Sequence, residues 1–250
     1  MALKIKGAVF DNDNTIAKIF PDPRIYWEEV FVETVEECGG KVPEGRETEY
    51  MLSYYTGKGF MDKLASIGLK TSWDEFQEAK GRVDERKRIS SINAGNSRLF
   101  DDAVEFIRYI HSRGIKFGVA TFTSQPVVMA AFDQISDLAR PSGFFGWEDS
   151  LKLGLEKPNP EIAYMVLRQM EVEPREAIMV GDRLTDVELG NQAGMTTFLV
   201  KRREEDGDLV ETLEREIDEI RGNFARVEDF NKIPDYQITK LTDIIPILEE

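Results

Sequence analysis

The chain has 250 residues, 41% of them hydrophobic, which is enough for one large domain or two small ones, each with a buried core. Its 32 basic and 47 acidic residues give a net charge of -15, which disfavours binding to nucleic acid or to an anionic membrane surface. One cysteine and one histidine exclude an intramolecular disulfide, a four-cysteine zinc site and a two-histidine metal site. Without a run of about 18 apolar residues or a secretory signal, a cytoplasmic protein with no transmembrane helix is expected.

Apolar periodicity predicts strands and helices that alternate around a helical insert. Residues 5–10 form a short apolar run, which predicts a first buried strand ending at Asp11. Residues 20–98 contain helical stretches broken by Gly and Pro, which predicts a separate helical insert. Beyond the insert, helices are predicted at 103–110, 162–170 and 184–193, and strands at 117–120, 177–180 and 196–200. This order predicts an α/β fold with a parallel sheet.

The predicted sheet domain is discontinuous in sequence. It comprises residues 1–19 and 99–250, and the insert comprises residues 20–98. Near the end of the chain, Leu209, Leu213 and Ile217 recur at helical spacing within a charged stretch, which predicts an amphipathic surface helix at about 204–221.

Polar residues follow the predicted strands. Asp11 and Asp13 follow the first strand. Further along the chain come Thr121 and Thr123 after the second strand, Lys157 before a helix, and Asp182 and Asp186 after the third strand. In parallel sheets, ligands bind beyond the carboxyl ends of the strands. Carboxylates, hydroxyls and a cation at that edge are suited to phosphoryl transfer to a carboxylate with Mg²⁺.

Four segments in this order resemble the motifs of the haloacid dehalogenase superfamily of hydrolases: FDNDNT, VATFTS, EKPNP and GDRLTDVELGNQAGM. The ending PDYQITKLTDIIPIL is similar to that family's last strand and helix. The resemblance implies a Rossmann-like three-layer α/β/α core, with the insert as a small all-helical cap domain. Within the insert, YYTGKGFMDKLASIGL resembles the specificity region of phosphoglycolate phosphatases and β-phosphoglucomutases.

Carried over to this sequence, the resemblance implies a role for each motif residue. Asp11 would be the nucleophile that forms an aspartyl phosphate, and Asp13 the general acid and base. The phosphoryl group would be held by Thr121, the amide of Phe122, and Lys157. The Mg²⁺ would be held by Asp11, the backbone carbonyl of Asp13, Asp182, and Asp186 directly or through water. In the cap, Lys58 lies between two glycines and is a candidate for binding the substrate anion.

The first motif departs from the family pattern at two positions. Asn14 stands where Gly is common, and Asn12 stands where an apolar residue is common. Asn is one of the few residues that tolerate a left-handed backbone, so the loop is expected to keep its shape. Asn12 adds a polar group for which the sequence indicates no partner.

The leading hypothesis is a Mg²⁺-dependent phosphatase acting on a small phosphorylated metabolite. A phosphomutase of the β-phosphoglucomutase type shares every core residue and is the first alternative. The second is a non-catalytic, receiver-like phosphoacceptor or phosphate-binding module. Asp13 argues against dehalogenase activity, because the family's carbon–halogen hydrolases generally lack this second Asp. No nucleic-acid or membrane partner is expected, and both a monomer and a homodimer are compatible with the sequence.

Overall fold

The computed structural model describes residues 4–18, 23–56, 59–202 and 230–250. These residues divide into two compact units. The sheet unit contains the described residues of 4–18, 97–202 and 230–250, and the helical unit contains those of 23–56 and 59–96. The predicted surface helix at 204–221 and the candidate Lys58 lie outside the described residues. Among the described residues, no helix is both long and apolar enough to cross a membrane.

Six parallel strands form the main sheet of the sheet unit. Two further short strands form a separate antiparallel pair. The strands are β1 (Gly7–Phe10), β2 (Ala17–Lys18), β3 (Arg98–Leu99), β4 (Lys116–Ala120), β5 (Gly143–Phe145), β6 (Ala177–Gly181), β7 (Thr196–Val200) and β8 (Tyr236–Ile238). The spatial order in the sheet is β5-β4-β1-β6-β7-β8, and β2 pairs with β3. Strand β1 is therefore central, with β4 and β6 as its neighbours.

Helices cover both faces of this sheet. The helices of the described residues are α1 (Pro23–Glu37), α2 (Glu47–Thr56), α3 (Phe60–Ser66), α4 (Trp73–Asn93), α5 (Asp101–Ser112), α6 (Gln125–Asp133), α7 (Trp147–Leu153), α8 (Glu161–Met170), α9 (Leu184–Ala193) and α10 (Ile244–Glu249). Helices α8 and α9 pack against the face that presents Val9, and α5 packs against the opposite face through Phe106 and Phe10. The predicted three-layer α/β/α core is confirmed.

Two glycines let α8 approach the sheet closely. Gly118 on β4 and Gly143 on β5 are paired in register beneath this helix. A Cβ atom at Gly118 would lie 2.4 Å from a methyl group of Val166, and one at Gly143 would lie 2.6 Å from the carbonyl oxygen of Val166. Real Cβ contacts are longer than this, so any larger residue would push α8 away from the strands.

The helical unit has a core of its own, in which aromatic side chains from different helices meet. Phe31 of α1, Phe60 of α3 and Phe76 of α4 are buried against one another with ring centroids 5.0–6.0 Å apart. Helix α4 begins with a capping box, because Ser72 accepts a hydrogen bond from the Glu75 amide and the Glu75 carboxylate accepts one from the Ser72 amide. In the described part of the helical unit, which ends at residue 96, all regular elements are helices, as predicted; strand β3 takes up residue 98 of the predicted insert.

A buried ion pair is expected to make a large contribution to the stability of the helical unit. The Asp84 carboxylate accepts hydrogen bonds from Arg88 Nε at 3.0 Å and from the Tyr26 hydroxyl at 2.5 Å. Burial raises the pKa of Asp84, but Arg88, Lys80 and Tyr26 outweigh burial and the net shift is downward. A lowered pKa means that the stabilisation is present at neutral pH and is lost as the pH falls through that pKa.

Asp84→Asn is therefore expected to lower the free energy of unfolding at pH 7 by about 3 kcal/mol, because the buried Arg88 loses its anionic partner. Denaturant titration measures the change, and the gap from the native protein should narrow at acidic pH. As the control, Glu33→Gln removes partly exposed pairings with Arg86 and Lys87 in the same unit. This control should lower the free energy of unfolding by less than about 1 kcal/mol. Equal decreases in the free energy of unfolding of the two variants would refute the large contribution of the Asp84–Arg88 pair.

Candidate active site

Three neighbouring strands bring the predicted site residues to one edge of the sheet. Asp11 follows β1, Thr121 follows β4 and Asp182 follows β6. Phe10, the last residue of β1, is in register with Val119 of β4 and Val180 of β6, so the three strands end at the same level. The edge beyond them therefore collects side chains from segments that are distant in the chain.

Lys157 contacts both the segment after β1, through Asp11, and the segment after β6, through Asp186. Its Nζ atom donates to Asp11 Oδ1 at 2.6 Å and to Asp186 Oδ1 at 2.7 Å. The side chains of Lys157, Asp11 and Asp186 are 5%, 12% and 1% exposed, so the ammonium and both carboxylates are largely shielded from water. A shielded ammonium beside a carboxylate is suited to offsetting the negative charge of an incoming anion.

The charges in this cluster do not cancel. The pKa of Asp11 is raised to about 7, because burial and the nearby Asp186 and Asp13 together outweigh the opposing effect of Lys157. For Lys157, burial lowers the pKa, but the two carboxylates more than compensate and the pKa lies above its ordinary value. Lys157 therefore stays protonated at neutral pH. The site contains more acidic groups than its lysine neutralises, which favours a further cation.

Within the described residues, Asp11, Asp182 and Asp186 each offer a carboxylate oxygen such that the three oxygens lie within 4.8 Å of one another. Asp182 Oδ1 accepts a hydrogen bond from Thr15 Oγ1 at 3.3 Å. Asp186 accepts from Lys157 on Oδ1 and from the Arg183 amide on Oδ2. A cluster of hard carboxylate oxygens fits Mg²⁺, and the two donors on Asp186 fit a more remote position for that carboxylate.

Asp13 is oriented by its neighbours. Its Oδ1 atom accepts hydrogen bonds from Thr123 Oγ1 at 2.9 Å and from Asn12 Nδ2 at 2.6 Å. Asn14 follows with a φ of 57°, in the left-handed region in which Gly or Asn is favoured. The expectation for the loop at Asn14 is confirmed, and Asn12 has a partner that the sequence did not indicate.

The second motif lies at the end of β4. Thr121 is 2% exposed, and its Oγ1 atom accepts the Thr123 amide at 3.1 Å. The Thr121 amide donates to the Phe145 carbonyl oxygen at 2.9 Å. Phe122 is 41% exposed, and Lys157 Nζ lies 6.0 Å from the centroid of its ring. Phe122 therefore lies beside Lys157, and Thr121 directly precedes Phe122 in the chain.

Sequence reasoning missed one residue that holds the loop following Asp11. Arg202 Nε and Nη2 donate to the carbonyl oxygens of Asn14 and Thr15 at 2.9 and 2.5 Å. Its Nη1 atom donates to the Asp102 carboxylate at 3.0 Å, and its guanidinium lies 3.7 Å from the ring centroid of Phe100. Arg202 comes two residues after the end of β7, so the rule that found the other site residues could have found it too.

One family model matches most of the chain. The model of the haloacid dehalogenase-like hydrolases matches residues 5–194. The phosphorylated carbohydrates phosphatase of Thermotoga maritima is 26% identical over 192 residues, covering 76% of this chain and 82% of that protein. The glyceraldehyde 3-phosphate phosphatase of Methanopyrus kandleri is 26% identical over 154 residues, covering 60% of this chain and 57% of that protein. The chain thus spans little more than half of the Methanopyrus relative.

A solved structure supports the fold independently of close sequence similarity. The structure of an HAD phosphatase from Thermococcus onnurineus superimposes with a TM-score of 0.60 at 20% identity, covering 98% of each chain. The family match spans well over half of the chain and includes the segments that supply Asp11, Thr121, Lys157 and Asp182. The chain belongs to the haloacid dehalogenase-like hydrolases.

Proposed function

We propose that this protein is a Mg²⁺-dependent phosphatase that hydrolyses a small phosphorylated metabolite through an aspartyl phosphate on Asp11. The observation that carries the proposal is that Asp11 accepts a hydrogen bond from the Lys157 ammonium and lies within 4.8 Å, oxygen to oxygen, of the carboxylates of Asp182 and Asp186. This combines a nucleophile, a fixed cation and a set of metal ligands in one place. The Thermotoga and Methanopyrus relatives carry the names of phosphatases of phosphorylated carbohydrates and of glyceraldehyde 3-phosphate, which supports this substrate class.

The reaction takes two steps. In the first, an Asp11 carboxylate oxygen attacks phosphorus, the ester P–O bond breaks, and Asp13 gives its proton to the leaving oxygen. In the second, water attacks the phosphorus of the aspartyl phosphate, Asp13 takes a proton from that water, and the bond to Asp11 breaks. Thr121 and the Phe122 amide hold phosphoryl oxygens, and Lys157 offsets the charge that Asp11 and the phosphoryl group bring together.

Mg²⁺ would be held by Asp11, Asp182 and the backbone carbonyl of Asp13, with Asp186 reaching it through water. When bound, the ion supplies the positive charge that lets a phosphate dianion approach a carboxylate. The hydrogen bonds on Asp186 support this division, because they tie its two oxygens to Lys157 and to the Arg183 amide.

Residues 20–98 are proposed to act as the cap domain, and residues 1–19 and 99–250 as the catalytic domain. A cap would exclude bulk water during phosphoryl transfer and select the substrate. Lys58 remains the candidate cap residue for binding substrate. The proposed setting is the cytoplasm, where small phosphorylated metabolites are available and where the single cysteine, Cys38, would stay reduced.

Phosphate release from an aryl phosphate tests the proposal. With Mg²⁺, steady turnover is expected, and excess chelator should abolish it, because Lys157 alone does not neutralise Asp11 together with a phosphate dianion. Adding Mg²⁺ back after the chelator should restore the rate, which controls for damage to the protein. Undiminished turnover in chelator would refute the metal requirement. Stable phosphorylation of Asp11 without turnover would point instead to a phosphomutase or a phosphoacceptor.

A further inference from the structure

We propose that Thr123 and Asn12 are positioning residues for Asp13, and that they fix the orientation of its carboxyl group towards the leaving oxygen. The proposal rests on the role of Asp13 as general acid in the proposed function. It concerns two residues to which the motifs assign no role: Thr123 lies two positions after Thr121, and Asn12 occupies a position where the family commonly has an apolar side chain.

Both side chains donate to the same oxygen of Asp13. Thr123 Oγ1 lies 2.9 Å from Asp13 Oδ1, and Asn12 Nδ2 lies 2.6 Å from it. Two donors on one oxygen restrict rotation of the carboxyl group, so they set its plane and the direction in which its second oxygen faces.

Thr123 is rigid enough for this task. It is 1% exposed, its amide donates to Thr121 Oγ1 at 3.1 Å, and its carbonyl oxygen accepts the Trp147 amide at 3.4 Å. With its backbone held by the loops after β4 and β5, its hydroxyl has a defined direction. General acid catalysis depends on such fixed geometry, since proton transfer requires hydrogen-bond distance to the leaving oxygen.

The contact between Asn12 and Asp13 has an energetic cost. Asn12 is 3% exposed, and its Oδ1 atom is buried with no hydrogen-bond partner among the described residues. Its backbone carbonyl oxygen accepts the amides of Thr15, Ile16 and Ala17, so the turn does not depend on the side chain. An apolar residue would avoid the unsatisfied oxygen. Departures of this kind are expected at functional sites, and the one hydrogen bond that the side chain donates goes to Asp13.

A series of aryl phosphates with progressively less acidic phenols tests the proposal. The value of kcat/KM reports the step that releases the phenol, and acid catalysis matters more as the phenol becomes less acidic. Thr123→Val should lower kcat/KM about 3-fold for 4-nitrophenyl phosphate and roughly 30-fold for phenyl phosphate. Asn12→Leu should show the same trend, and Thr123→Ser, which keeps the hydroxyl, should stay within about 3-fold of the native protein throughout.

Thr197→Val is the matched control. Thr197 is another fully buried threonine in the sheet unit, and its hydroxyl also donates to an aspartate, Asp235, at 3.2 Å. Thr197→Val should leave kcat/KM unchanged for every aryl phosphate in the series. A loss in Thr123→Val that is equal for all phenols, or a similar trend in the control, would overturn the positioning role while leaving the phosphatase intact. Absence of metal-dependent turnover in the native protein would instead refute the proposed function and this inference with it.

A crystal structure of the metal-free double variant Asn12→Leu, Thr123→Val gives a readout independent of turnover. With both donors gone, the Asp13 carboxyl group should leave its native rotamer or occupy more than one. A single native rotamer in the double variant would overturn the inference, because the orientation would then come from elsewhere. A native protein that shows both hydrogen bonds and a double variant that loses the rotamer would support it.

Discussion

Asp11→Asn is expected to abolish metal-dependent phosphate release, with a fall in kcat of at least about 10⁴-fold. The amide keeps the size of the carboxylate but is a much weaker nucleophile and a weaker metal ligand, so both parts of the proposed chemistry are lost. Phosphate release from an aryl phosphate under saturating Mg²⁺ measures the effect. Lys157 keeps Asp186 as a partner in this variant, so the protein should still fold.

The matched control is Asp133→Asn. Asp133 lies on α6, and its side chain is 68% exposed in an ion pair with Arg140. The same chemical change there should leave kcat unaltered and change stability little. If Asp11→Asn retained even a hundredth of the native rate, Asp11 would not be the nucleophile, and the proposed aspartyl phosphate would have to be abandoned.

Lys157→Met is expected to damage both activity and stability. The rate should fall about 10³-fold, because the phosphoryl group loses a preorganised cation in a shielded site. The free energy of unfolding of the metal-free protein should fall by about 3 kcal/mol, because Asp11 and Asp186 remain buried without their shared ammonium. Denaturant titration and steady-state kinetics measure the two effects on the same samples.

Lys116→Met is the control for this second prediction. The Lys116 side chain is 46% exposed, and its Nζ atom donates to the Met170 carbonyl oxygen at 2.7 Å and to Glu171 at 3.2 Å. Lys116→Met should lower the free energy of unfolding by less than about 1 kcal/mol and leave turnover unchanged. Added Mg²⁺ should recover part of the stability of Lys157→Met but not its rate. A variant as stable and as active as the native protein would contradict the role assigned to Lys157.

Much of the sheet could be predicted from the sequence. The strand predicted at 196–200 has the observed bounds of β7, and those at 117–120 and 177–180 differ from β4 and β6 by one residue. The reason is that buried parallel strands are short apolar runs, and these end at polar residues. Strand β5 has three residues, and the pair β2 and β3 has two residues each, which is too short for periodicity to reveal.

The candidate site was predictable as a set of residues but not as a set of contacts. Asp11, Thr121 and Asp182 could be grouped because carboxyl ends of parallel strands share one edge of a sheet. The partners within that group depend on the spatial order β4-β1-β6 and on loop conformations, which no local pattern encodes. This is why the partner of Asn12 and the contacts of Arg202 are evident only in the tertiary structure.

The sequence by itself determined the chemistry that is available to this protein: carboxylates, hydroxyls and one lysine, in the order of a known family, without the cysteines or histidines for other metal sites. Only the tertiary structure decided how these groups combine. Lys157 lies 146 positions from Asp11 and 29 from Asp186, and its ammonium donates to both. Such contacts form between segments distant in the chain, because the sheet aligns the ends of its strands, and their geometry is a property of the packed fold.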